Sequence, residues 1–181
     1  MTEPLFDKRT ILFALRAVAA RLDEQNAEPD VLIVVGGSFM AFHELREATR
    51  DVDTVTRITA AIRNASDAVA IEHGFEAGWL NDRAAMYLPQ GLGAEACEVL
   101  VDHPRLRVLG PPADYVFVMK LYAARGEVDH DDMVHLWPHC TFTTADDAVA
   151  LYWQAYPHAP EDEGLVSYVA NIANEATRLA H

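Results

Sequence analysis

With 181 residues, 51% of them hydrophobic, the chain is long enough to bury the core of one ordinary domain. Its 28 acidic residues against 14 basic ones leave a formal net charge of −14, which excludes extended non-specific binding to a polyanion, because that needs many clustered bases. Two cysteines without CxxC spacing exclude a disulfide framework or a cysteine zinc site, and a reduced, cytoplasmic setting is the default.

The start Met1-Thr2-Glu3-Pro4 lacks the basic region of a secretion signal, and there is no run of about 18 uninterrupted apolar residues, so no membrane association is expected. Ile11, Leu12, Leu15, Val18, Ala19 and Leu22 form a helical stripe suited to packing beneath a sheet. Glu28-Pro29-Asp30 breaks the chain before Val31 to Val35, a β-branched and leucine run of strand length. Gly36-Gly37-Ser38 follows, then apolar residues at helical spacing (Phe39, Phe42, Leu45). This predicts strand, glycine turn and helix, with Ser38 as N-cap. Shortly downstream stand Asp51 and Asp53. In extended chain they share a face while Val52 points the other way, so two oxygens can meet one hard cation.

Thr59 to His73 reads as the next helix, stopped by Gly74. Gly78 to Asp82 is polar and turn-rich, Ala84 to Leu88 resembles a short strand, and Gln90 to Gly93 a loop. In Cys97 to Asp102, period-two alternation puts Glu98, Leu100 and Asp102 on one face of a strand. Leu106 to Leu109 is another strand, ended by Gly110-Pro111-Pro112, after which Asp114 can cap a helix running to about Arg125. The rest is mostly helical. Thr144 with Asp147 makes a capping box for a helix to Tyr156, and Leu165 to Ala180 forms a last helix beyond an acidic linker. The expected architecture is α/β of the α+β kind: a small mixed sheet with packed helices over residues 1–126, and a helical C-terminal extension over 127–181.

Charge is uneven along this plan. From Gly126 to His181 there are ten acids and one base, a net of −9, whereas Glu44 to Arg125 has twelve acids and nine bases, a net of −3. The bases Arg46, Arg50, Arg57, Arg105, Arg107, Lys120 and Arg125 therefore gather in the segment that carries the glycine turn and the acid pair. A local patch for a triphosphate fits this distribution; an acidic tail can meet a basic partner.

Val35-Gly36-Gly37, thirteen residues from Ser38 to Arg50, then Asp51-Val52-Asp53 resembles the signature of the DNA polymerase β-like nucleotidyltransferase superfamily: a hydrophobic residue, Gly-Gly or Gly-Ser, a spacer, and Asp-hydrophobic-Asp. Within it the chain is similar to the minimal bacterial type related to the abortive-infection toxin AbiEii. The Arg-x-Thr-x-Asp approach of that group is partly kept: Thr49 matches, and Arg46 sits one position off. Lys120-Leu121-Tyr122-Ala123-Ala124-Arg125 with Asp129 and Asp132 resembles its Lys-x-x-Ala-x-Arg with trailing acids.

The resemblance implies transfer of a nucleoside monophosphate from a nucleoside triphosphate to a hydroxyl, with Mg²⁺ (or Mn²⁺) held by Asp51, Asp53 and a third acid. Glu98 and Asp102 are both open for that place, and Glu98 is preferred because Cys97 and Val99 flank it. It further implies nucleotide contacts from Gly36, Gly37, Ser38, Thr49, Arg50 and Arg125, with Lys120 neutralising developing charge. An RNA end, a protein or a small molecule is the acceptor, and a toxin paired with an antitoxin is the implied setting. The alternative is an inactive nucleotide-binding or regulatory module of the same fold. Lys120 also has a bland reading, a surface residue whose stem snorkels past Met119 and Leu121. His130, His135 and His139 lie near Cys140, but Pro138 breaks the helix that would align them, so no metal is expected there. Trp79, Trp137 and Trp153 read as core or interface aromatics, with Trp79-Leu80-Asn81 the stretch nearest the site.

Overall fold

The computed structural model describes residues 5–123 and 126–179. It is a mixed α/β structure with a five-stranded mixed sheet, consistent with the α+β expectation. The chain forms two compact units, Met1–Met86 with Ala94–Pro111, and Tyr87–Gly93 with Pro112–His181.

The first unit runs α1 (Lys8–Glu24), β1 (Asp30–Val35), α2 (Gly36–Phe42), β2 (Val52–Thr54), α3 (Ala60–His73), β3 (Leu80–Asn81), β4 (Glu98–His103) and β5 (Leu106–Gly110). Strand order is β3-β2-β1-β5-β4. β1 is central: it pairs antiparallel with β2, Val35 opposite Asp53, and parallel with β5, Leu32 opposite Val108. The side chains of Leu32 and Val34 fall on the core face with Leu106 and Val108, as period-two alternation requires. Against them pack the stripe of α1 (Ile11, Leu15, Val18, Leu22) and that of α3 (Ile62, Ala65, Val69). α1 starts earlier than its apolar stripe because the Asp7 side chain accepts from Thr10 N at 2.8 Å. α3 is bounded as expected, by Thr59 accepting from Ile62 N and by Gly74 at φ +72°.

Local expectations fail where tertiary contacts decide. The polar stretch 78–82 contains β3, whose partner is β2, and Trp79 before it is core: 2% exposed, stacked on Phe6 at 5.2 Å and donating from Nε1 to Ser66 O. The strand expected over Ala84 to Leu88 is a 3-10 turn, Arg83–Tyr87, opened by Ala85 N donating to Asp82 O. β4 carries a register shift between Val99 and Val101, so Glu98, Leu100 and Asp102 do not share one regular face.

The second unit comprises α4 (Ala113–Ala123), α5 (Glu127–Leu136), α6 (Ala145–Ala155) and α7 (Leu165–Leu179). α4 packs with α5 and α6, and α7 with α5 and α6, so the helical unit begins at Pro112 and takes in α4. Asp114 does not cap its own helix. It is 7% exposed, and its carboxylate accepts from Thr141 N and Thr141 Oγ1 at 2.9 and 2.8 Å. Tyr122 stacks on Tyr156 at 4.1 Å, and the Tyr156 hydroxyl donates to Tyr87 O, tying residues 87–93 to these helices. α7 buries Leu165, Val169, Ile172 and Ala176.

Thr144 caps α6 as expected: Asp147 N donates to Thr144 Oγ1 at 3.2 Å, and Thr144 Oγ1 donates to Asp147 Oδ2 at 2.6 Å, so the Asp147 side chain meets the Thr144 hydroxyl. Thr144→Ala is expected to lower the free energy of unfolding by about 1 kcal/mol, read from the midpoint of chemical denaturation.

Candidate functional site

The end of β1, the glycine turn and the start of β2 converge. Because β1 and β2 are antiparallel with Val35 opposite Asp53, the turn leaving β1 meets the acid strand entering the sheet. Gly36 adopts φ +67°, a conformation that L side chains resist, and a Cβ on it would lie 3.3 Å from Asp53 Oδ2. A Cβ on Gly37 would stand 2.6 Å from Thr49 Oγ1 and 2.9 Å from Arg46 Nη1. Five residues named from the sequence, Gly36, Gly37, Arg46, Thr49 and Asp53, thus meet around one bend. Arg46 reaches it because α2 ends at Phe42 and the chain reverses through Glu44 at φ +60°. Thr49 is fixed from behind by the pairing of Phe6 N with Thr49 O at 2.7 Å and Thr49 N with Phe6 O at 3.0 Å.

The helix after the turn differs from expectation. It starts at Gly36, and its N-cap is Val35, which makes no side-chain capping bond. Ser38 is therefore inside the first turn, fully buried, its hydroxyl donating to Val35 O at 2.7 Å. That leaves Ser38 only its main-chain N–H as a possible ligand contact. α2 has seven residues, so attraction for an anion here rests on individual N–H groups and neighbouring arginines rather than on a long dipole. Arg50 is exposed beside the acid pair in sequence.

Asp51 lies just before β2, with 34% of its side chain exposed; Asn81 Nδ2 donates to its Oδ2 at 3.4 Å, and Arg83 Nη1 stands 3.9 Å from the same oxygen. Asn81 is the register partner of Asp53 across the parallel β2–β3 ladder. It is the site residue that sequence reading missed. A two-residue strand inside a polar stretch carries no alternation to reveal it; the only signal was its place beside Trp79 and Leu80.

Neither acid open for the third place lies on a strand next to β2. Glu98 sits on β4, at the far edge of the sheet, three strand spacings of about 4.8 Å each from β2, with β1 and β5 between. Its Oε1 is 2.9 Å from His43 Nε2. Asp102, on the same edge strand, is 78% exposed and lies 3.5 Å from Arg107 Nε. Among the described residues no group of three or more His, Cys, Asp or Glu is placed to hold a metal ion. A pair of carboxylates such as Asp51 and Asp53 is the share that a protein commonly gives to one magnesium ion.

Lys120 belongs to the second unit. It is 7% exposed, its Nζ 2.6 Å from Asp132 Oδ2 and 3.1 Å from Asp129 Oδ1, so its charge is already balanced inside the helices and it is no snorkelling surface residue. Arg125 lies outside the described residues. His130 pairs with Glu175 at 2.9 Å, His135 with the Asp131 carbonyl of its own turn, and burial pushes the Cys140 thiol well above the ordinary range. No helix among the described residues is long and apolar enough to cross a membrane.

Compared with family models, curated proteins and solved structures, the chain gives no significant match.

Proposed function

We propose that this protein binds a magnesium nucleoside triphosphate at the Gly36–Gly37 bend and transfers the nucleoside monophosphate to a hydroxyl acceptor. The observation that carries the reading is the contact of the glycine turn with the acid strand: the space a Gly36 Cβ would take is bounded by Asp53 Oδ2 at 3.3 Å. A backbone kept bare beside a carboxylate suits a phosphate bridged to that carboxylate by a cation.

Asp51 and Asp53 would hold the ion. Main-chain N–H groups of Gly36 and Gly37 would meet phosphate oxygens, and Arg46 and Arg50 would offset the charge of the triphosphate. Magnesium, when bound, screens the phosphates and makes the α-phosphorus more electrophilic. The acceptor oxygen would bond to that phosphorus, its proton passing to solvent, as the bond to the bridging oxygen breaks and pyrophosphate departs. RNA 3′ ends, protein hydroxyls and small molecules are the acceptors to be compared. An antitoxin partner is carried only by the resemblance to the AbiEii group.

One observation favours a second reading, a module that binds nucleotide without turnover: the residue opposite Asp53 is the neutral Asn81. The two separate when purified protein is incubated with labelled triphosphates, Mg²⁺ and total cellular RNA or protein. Transfer should fall at least about a hundredfold in Asp53→Ala, the scale of losing a charged group aimed at the reacting centre. Nucleotide binding without transfer in the wild type supports the module, and neither binding nor transfer defeats both readings.

A further inference from the structure

Asn81 is only 7% exposed, and its side chain faces the site rather than the core. Register partners in a parallel ladder point to the same face, so Asn81 stands beside Asp53, while Val52 and Leu80 are both buried, 0% and 2% exposed. Both ends of its amide are used. Arg83 N donates to Oδ1 at 3.1 Å and Nδ2 donates to Asp51 Oδ2 at 3.4 Å. A main-chain N–H can only donate, so the oxygen must face Arg83 and the NH₂ group is turned to Asp51; the flipped amide would set donor against donor at one end and acceptor against acceptor at the other.

The choice of amide over acid has consequences. An aspartate at this position would still accept from Arg83 N, but would bring a third negative charge against Asp51 and Asp53, tolerable only with more cationic charge between them. The amide accepts from Arg83 in the same way and gives Asp51 a donor instead. At 3.4 Å that bond is long.

Resting on the nucleotide reading above, we propose that Asn81 is a positioning residue. Its NH₂ holds one oxygen of Asp51 so that the carboxylate, beside Asp53, is presented to a single divalent cation arriving with the triphosphate. The site is thereby a one-cation site by construction: two acids from β2 and its approach, and a neutral clamp from β3.

Isothermal titration of the full chain with a Mn²⁺-loaded non-hydrolysable triphosphate tests this. Asn81→Ala should raise Kd roughly tenfold to a hundredfold, the usual cost of removing a group that orients a metal ligand. The Asn81 side-chain ¹⁵N–¹H resonances of the metal-free wild type supply a second readout, and should move in Asp51→Asn. A folded Asn81→Ala that binds with wild-type affinity overturns the proposal, as do Asn81 amide signals indifferent to Asp51→Asn. If the wild type itself binds no Mn²⁺-triphosphate, the nucleotide reading fails and the proposal with it, an outcome distinguishable because it appears without any substitution.

Discussion

Replacing Lys120 by alanine should destabilise the helical unit by about 3–5 kcal/mol, the cost of removing one member of a buried ion pair. The ammonium lies 2.6 Å from Asp132 Oδ2 and 3.1 Å from Asp129 Oδ1, and only 8% of the Lys120 side chain and 6% of the Asp132 side chain are exposed. Without Lys120, the buried Asp132 carboxylate loses the ammonium that stands 2.6 Å from its Oδ2. The double change Lys120→Met with Asp132→Leu should recover much of the loss, because two apolar side chains of similar volume avoid that desolvation. Chemical denaturation of the wild type, the single variant and the double variant reads the difference. If Lys120 acts only by reaching a nucleotide, the alanine variant will instead unfold at the wild-type midpoint and differ in binding alone.

Gly37→Ala should cost about 1–3 kcal/mol, the range for forcing extra volume into a filled space, and should weaken nucleotide binding as well. The added methyl would meet Thr49 Oγ1 at 2.6 Å and Arg46 Nη1 at 2.9 Å. Arg46 is long and can swing aside, whereas Thr49 is β-branched, 8% exposed and anchored by its main chain to Phe6. The strain therefore falls on the loop that leads to Asp51. Gly36→Ala is a useful comparison, because there the φ of +67° adds the left-handed penalty of roughly 1–2 kcal/mol and the new methyl faces the Asp53 carboxylate. Denaturation midpoints and nucleotide titrations of the two variants check both effects. A Gly37→Ala protein with unchanged stability would mean that the bend is looser than its contacts require.

The legible parts of this chain were those set by local rules. The apolar stripes of α1 and α7, the β-branched run of β1, the Thr59 and Thr144 caps and the Gly74 stop each follow from spacing and side-chain chemistry within a few residues. Of the site, the glycine turn and the acid pair could be named because their types and order carry chemical meaning. Ser38 misled because a serine after two glycines has the composition of an N-cap, yet the turn closes two residues earlier and encloses it. Glu98 could not be placed in advance because alternation within a strand says nothing about where that strand is inserted in the sheet.

The sequence by itself determined that two acids would follow a bare turn, and that most of the rest would be helix around a small sheet. Only the tertiary structure decided which groups stand beside those acids. Strand order put Asn81 next to Asp53 and sent Glu98 to the opposite edge. Helix packing enclosed Lys120 between two aspartates. The reason is physical: periodicity records which face of an element seeks burial, but the pairing of distant strands and helices is settled by burial and hydrogen bonding summed over the whole chain.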